Sequence, residues 1–126
     1  MVNSIPRYRI GEDHIKVMES AALREGAVEA VEAGGWPVLL ARAEGVVHAV
    51  INRCSHAAAA FSPGGRIRRD VLMCPAHGAR FNIVDGSCIG GLYRPLRTFP
   101  CHEVDGWIEV TVPETAPGPD ERPVTR

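Results

Sequence analysis

Cys54-Ser55-His56 and Cys74-Pro75-Ala76-His77 decide how this chain is read. They form two short motifs, C-x-H and C-x-x-H, with seventeen residues between His56 and Cys74. Each motif offers one sulfur and one nitrogen. The combined Cys₂His₂ set suits a borderline metal such as Zn²⁺, or an iron–sulfur cluster in which histidines replace two cysteines on one iron. The order of the ligands separates the two. A zinc finger pairs like with like, two cysteines and then two histidines. Here each loop mixes its ligands, as a two-iron cluster requires when each loop gives Cys to one iron and His to the other.

With these residues in place, the chain resembles the Rieske-type [2Fe–2S] ferredoxins that feed electrons to bacterial ring-hydroxylating oxygenases. The resemblance runs from Val38 to Val112. It includes the apolar lead-in Val46 to Asn52, the first loop, Phe61 five positions after His56, and the turn Pro63-Gly64-Gly65. It continues through Cys74-Pro75-Ala76-His77-Gly78, Phe81 and Asp85-Gly86. The resemblance implies that Cys54 and Cys74 hold one iron and His56 and His77 the other. It also implies an all-β fold, an antiparallel β-sandwich with a small inserted cluster-binding subdomain at about residues 53–92. One [2Fe–2S] cluster per chain would be the cofactor. The partners would be an NAD(P)H-dependent ferredoxin reductase and a terminal oxygenase. Two positions depart from the family: Ala58 stands where a glycine is usual, and Leu92 where a proline often follows the third-loop glycines.

Length and composition agree with one domain at 1–112 and a Pro-rich tail at 113–126. A chain of 126 residues can bury a core without staples. Its formal charge is −1, which argues against a nucleic-acid partner. No apolar run reaches membrane-spanning length, and Met1 to Arg7 lacks the apolar centre of a signal peptide. Thiols needed as ligands point to a reducing cytoplasm.

Of the four cysteines, the paired motif claims two and leaves Cys88 and Cys101. These are expected to be buried small side chains, neither ligands nor a disulfide. High-potential respiratory relatives carry a disulfide between their cluster loops. The corresponding positions fall near Ala59 and at Ala76, so this chain lacks that clamp.

In order along the chain, Tyr8 to Met18 reads as an opening strand, with Ile15 and Val17 alternating. Ser20 to Gly26 reads as one helical turn, with Ser20 as N-cap and Gly26 as C-cap. Ala27 to Ala33 reads as a strand, partly because the family has one there, and Gly34-Gly35 as a turn. Val38 to Ala41 and Val46 to Ile51 form a hairpin about Glu44-Gly45. Arg66 to Arg68 and Val71 to Met73 flank a tight turn at Arg69-Asp70. Arg80 to Val84 is a short strand, and Gly90-Gly91 opens a third loop that packs against the cluster. Leu96 to Val104 pairs with Trp107 to Val112 about Asp105-Gly106. Proline-rich composition makes the tail irregular.

Replacing two thiolates by neutral imidazoles removes negative charge and raises a cluster's potential. Hydrogen bonds to the sulfurs then tune it. High-potential relatives place a serine just after the His-Gly pair and a tyrosine two residues on. Ala79 and Phe81 stand there instead and cannot donate. The expectation is the low end of the Rieske range, about −150 mV. Ala57 to Ala60 and Pro75-Ala76 would give the tip a small apolar surface suited to brief docking. Arg66, Arg68, Arg69 and Arg80 could steer an acidic partner or form a solvated face. His14, His48 and His102 read as surface or satisfied side chains, Trp36 and Trp107 as packing residues. No catalytic motif is present, so the chain reads as an electron-transfer component without a catalytic site of its own. The alternatives are a Rieske-like small subunit of a reductase such as nitrite reductase, and a structural zinc module. A catalytic oxygenase subunit would need a further mononuclear iron domain.

Overall fold

A computed structural model describes residues 11–56, 58–62, 64–76 and 78–123. Residues 8–10 of the expected first strand, Pro63 of the expected turn and His77 of the second loop lie outside that set. The described chain holds ten strands: β1 (Glu12–Glu19), β2 (Val28–Ala33), β3 (Trp36–Ala43), β4 (Val46–Ile51), β5 (Arg66–Arg68), β6 (Val71–Met73), β7 (Arg80–Asn82), β8 (Thr98–Phe99), β9 (Cys101–Val104) and β10 (Trp107–Pro113). They form three antiparallel sheets, ordered β1-β10-β9, β2-β3-β4-β8 and β5-β6-β7. The all-β reading holds.

The hairpins form where the turn residues tolerate a left-handed backbone. Glu44-Gly45 joins β3 to β4 with φ of 53° and 80°, and Asp105-Gly106 joins β9 to β10 with 51° and 83°. Positive φ at both central residues twists the two strands the way a hairpin needs. The segment Ala27 to Ala33 is a strand, as read, paired with β3 from Val28↔Ala41 to Ala33↔Trp36. β3 forms the heart of the core: Val38, Leu39, Leu40 and Ala41 are all fully buried. Each large apolar side chain buried this way contributes about 1.5–3 kcal/mol.

Three expectations are corrected. Ser20 is not an N-cap; the short 3₁₀ turn Ser20–Ala22 is capped by Glu19 without a side-chain bond, and it ends at Leu23, before Gly26. The Ser20 hydroxyl bonds Glu103 instead, and the Arg42 guanidinium ties the same turn down through the carbonyls of Leu23 (2.6 Å) and Ser20 (2.9 Å). Leu96 to Val104 is not one strand. Pro100 cannot donate to a ladder, and around it the chain leaves one sheet for another: β8 pairs with β4 and β9 with β10. The strand after the second loop is shorter than expected, because Ile83 to Asp85 turn about the Asn82 carboxamide, which accepts the Val84 amide at 2.8 Å.

The tail folds back on the domain. Trp36, 2% exposed, donates its indole N–H to the carbonyls of Thr115 (2.9 Å) and Pro113 (3.2 Å). Glu121, in a 3₁₀ turn at Pro119–Glu121, pairs with Arg97 at 3.0 Å, and the Arg122 carbonyl accepts from Arg53 at 3.0 Å. Arg97 also stacks over Trp36, 4.8 Å from the ring centre. Since Arg53 leads into the first cysteine loop and Arg97 lies just beyond the third, the tail braces the base of the candidate site.

Candidate metal centre

Cys54 and Cys74 open two loops with the same local geometry. The Cys54 amide donates to the Ala59 carbonyl (2.8 Å), and the Ala58 amide returns a bond to the Cys54 carbonyl (2.7 Å). Twenty residues later the Cys74 amide donates to the Ala79 carbonyl (2.8 Å), and the Gly78 amide bonds the Cys74 carbonyl (3.0 Å). In both, the residue four after the cysteine has a left-handed backbone: φ is 59° at Ala58 and 74° at Gly78. In both, the residue seven after the cysteine is a buried phenylalanine. Phe61 and Phe81 meet edge to face, ring centres 6.0 Å apart, beneath the loops.

The cysteines are 0% and 1% exposed. Cys54 reaches its loop from β4 through Asn52, itself buried, whose side-chain carbonyl accepts the Phe61 amide at 2.7 Å. Cys74 follows β6 directly. The turn at Gly64-Gly65 joins the loops: a side chain on Gly64 would meet Pro75 at 3.2 Å, and one on Gly65 would meet the Phe61 carbonyl at 2.3 Å. His56 is half-buried, its ring stacked on Tyr93 with centres 4.3 Å apart and planes at 29°. The third loop is fastened to the first by the Ser55 hydroxyl, which donates to the Arg94 carbonyl at 2.6 Å. The third loop therefore packs on the first cysteine loop. Tyr93 carries no sequence signal beyond being an aromatic ring two residues after Gly91.

Among the described residues, no three His, Cys, Asp or Glu side chains are grouped as a metal site. His77 lies outside them, so the expected four-ligand set is described in three members: Cys54, His56 and Cys74. Their chemistry suits a mixed sulfur–nitrogen centre, with two thiols withdrawn from water and one half-buried imidazole held against an aromatic face. Among the described residues no two cysteines are joined by a disulfide. Cys88 is half-buried, in an isolated bridge to Phe81. Cys101 is half-buried rather than fully buried, and donates to the Val47 carbonyl at 3.2 Å. Burial, and then the charge of Glu103, raise its thiol to about 11.

Residues 13–100 match the Rieske [2Fe-2S] domain family. The chain belongs to that family. The family's cofactor is a [2Fe–2S] cluster, and the two cysteine loops are where this chain would hold it. Among relatives, the chain is 34% identical over 77 residues to the ferredoxin component of the naphthalene 1,2-dioxygenase/salicylate 5-hydroxylase systems of a Ralstonia species, covering 60% of this chain and 73% of that one. It is 34% identical over 92 residues to the 3-phenylpropionate/cinnamic acid dioxygenase ferredoxin subunit of Escherichia coli, covering 71% and 86%. Among solved structures, the ferredoxin of carbazole 1,9a-dioxygenase from Nocardioides aromaticivorans IC177 is similar, with a TM-score of 0.71 and 27% identity over 83% of this chain and 98% of that one. No helix among the described residues is long and apolar enough to cross a membrane.

Proposed function

We propose that this Rieske protein is a one-electron carrier that passes electrons from an NAD(P)H-dependent reductase to a terminal oxygenase acting on an aromatic ring. The observation that carries the reading is the pair of matching loops, each presenting a buried cysteine, with the half-buried His56 beside them. In this reading Cys54 and Cys74 hold one iron, and His56 and His77 hold the other. The bound cluster supplies a site that takes up and releases a single electron. The protein supplies the rest. Buried thiols keep the inner side dry, which limits the solvent rearrangement that accompanies electron transfer. Tyr93 and the Ser55–Arg94 bond fix the histidine edge of the first loop, the side from which an electron would enter or leave. The relatives named as ferredoxin components of dioxygenase systems support a carrier role and the oxygenase as partner. Ala79 and Phe81 in place of hydroxyl donors support a low potential, and the need for thiols as ligands supports a reducing, cytoplasmic setting.

The test is composition and spectrum. Anaerobically purified protein is expected to be red-brown, with equal iron and acid-labile sulfide, and to give a reduced-state resonance spectrum of mixed His/Cys ligation. Stoichiometric zinc without sulfide would overturn the reading in favour of a structural zinc module. His77→Ala and His56→Ala are each expected to lose that spectrum, whereas Cys88→Ser and Cys101→Ser keep it.

A further inference from the structure

The small sheet β5-β6-β7 carries the second loop on its end, since β6 stops at Met73, Cys74 follows, and β7 resumes at Arg80. Alternation divides its residues between two faces. Ile67, Leu72 and Phe81 are cross-strand partners facing the core, at 9%, 0% and 0% exposed. The other face presents Arg66, Met73 and Arg80 as one cross-strand row, with Arg68 on the next and Arg69 in the turn. All five are exposed, Met73 at 40%.

These arginines have no visible folding role. Among the described residues none of the four takes part in an ion pair. Like charges gathered on one small sheet disfavour it slightly. The charge of the chain is also segregated. Residues 53–97 hold seven arginines against two acids, Asp70 and Asp85, while the rest of the chain has seven basic and thirteen acidic residues. The basic end is the cluster end. The face also runs directly into the second loop, through a surface pocket lined by Gly64, Arg66, Met73, Cys74, Pro75 and Gly78. Arginine and methionine are enriched at protein interfaces, and complementary charge steers brief encounters.

We propose that the outer face of β5-β6-β7, centred on Arg66, Met73 and Arg80, is a docking surface for a carboxylate-rich face of a redox partner protein. The proposal rests on the electron-carrier reading. A long polyanion such as DNA fits the chain less well, because the acidic remainder would repel it.

The experiment uses the intact holo-protein and poly-L-glutamate as the acidic probe, with binding measured by calorimetry and the cluster spectrum read first in every variant. Binding is expected at low salt and to weaken between about 0.01 M and about 0.1 M, where the Debye length falls from about 30 Å to about 10 Å. Arg66→Glu/Arg80→Glu is expected to weaken it about tenfold or more. Lys16→Glu/Arg24→Glu makes the same change in net charge on exposed side chains outside the cluster end and is expected to weaken it by about twofold at most. Equal loss in the two double variants would overturn the proposal, as would tighter binding of duplex DNA than of poly-L-glutamate. Absence of a cluster from the parent protein would count against the carrier reading. An intact cluster with unchanged binding in Arg66→Glu/Arg80→Glu would count against the docking face alone.

Discussion

Ala58 and Gly78 occupy the same step of two turns with the same hydrogen-bond pattern, each four residues after a cysteine and each with positive φ. The second loop meets that demand with glycine; the first meets it with alanine, at a steric cost of about 1–2 kcal/mol. Ala58→Gly removes this cost, offset in part by the greater freedom of glycine in the unfolded chain. It is expected to stabilise the protein by about 0.5–1 kcal/mol, raising the melting temperature by a few degrees. Gly78→Ala is the mirror experiment: nothing lies within 4 Å of an added side chain there, so its expected loss of about 1 kcal/mol would be backbone strain alone. Thermal melts of the two holo-proteins check both signs.

Asn52 holds the first loop onto the core. Its carboxamide oxygen accepts the Phe61 amide at 2.7 Å, and the residue is 6% exposed. Asn52→Leu keeps the volume but leaves that amide without its acceptor. The expected cost is about 1–3 kcal/mol, read as a lower denaturation midpoint and faster loss of cluster colour on warming. A variant as stable as the parent would mean that the Phe61 amide finds water instead.

Gly65 stands where two stretches of backbone touch. A side chain there would sit 2.3 Å from the Phe61 carbonyl oxygen and 3.2 Å from the Phe61 side chain. Neither is the loose end of a flexible group, so Gly65→Ala must displace the backbone under the ring that packs on Phe81. A loss of about 2–4 kcal/mol is expected. Most of the variant should accumulate without cluster, while the milder Gly35→Ala, with open space around it, keeps its cluster.

The parts of this fold that could be read from sequence are those whose cause is local. Glu44-Gly45 and Asp105-Gly106 announce their hairpins because a tight turn between strands needs left-handed residues. The cysteine loops are legible because ligand chemistry restricts both residue type and spacing. What stayed hidden depends on distant partners. β1 pairs with β10 from the far end of the chain, a register that alternation in Ile15 and Val17 cannot specify. The tail is largely irregular, as its prolines imply, but its anchoring by the Trp36 indole has no local signal. Ser20 has the composition of a cap, but Glu103 and Arg42 claim its hydroxyl. Alanine itself gives no sign of the left-handed backbone at Ala58; the hint is that the family usually has a glycine there.

Cys101 provides a pH test. Burial first, and the Glu103 carboxylate second, push its thiol up to about 11 in the folded protein, from an ordinary value of 9.0. The folded state therefore keeps the proton that the unfolded chain releases above about pH 9. Stability linked to this group is full below pH 9 and declines as pH rises from 9 to 11. Cys101→Ser should flatten that decline. Folded parent protein at pH 8 should also resist alkylation at Cys101, as peptide mapping by mass spectrometry would show. Rapid labelling there under native conditions would contradict the assignment.

Ala79 and Phe81 bear on the potential. The Ala79 carbonyl receives the Cys74 amide at 2.8 Å, and Phe81 is fully buried seven residues after that cysteine. Both therefore belong to the immediate frame of a proposed sulfur ligand, and neither side chain can donate a hydrogen bond. A hydroxyl near a cluster sulfur stabilises the more negative, reduced state and so raises the potential. Ala79→Ser and Phe81→Tyr each introduce one such donor. A buried tyrosine hydroxyl needs a partner, and a sulfur is the acceptor that this placement offers. A single modest hydrogen bond is worth about 1 kcal/mol. In a one-electron couple about 1.4 kcal/mol corresponds to about 59 mV, so each variant should move the midpoint up by tens of millivolts. The double variant should move it further. Protein-film voltammetry on the three variants measures this, with the visible spectrum confirming that the cluster remains. A double variant that keeps both its cluster and the parent potential would show that residues 79 and 81 do not reach the sulfurs. The proposal of a low potential would then lose this support.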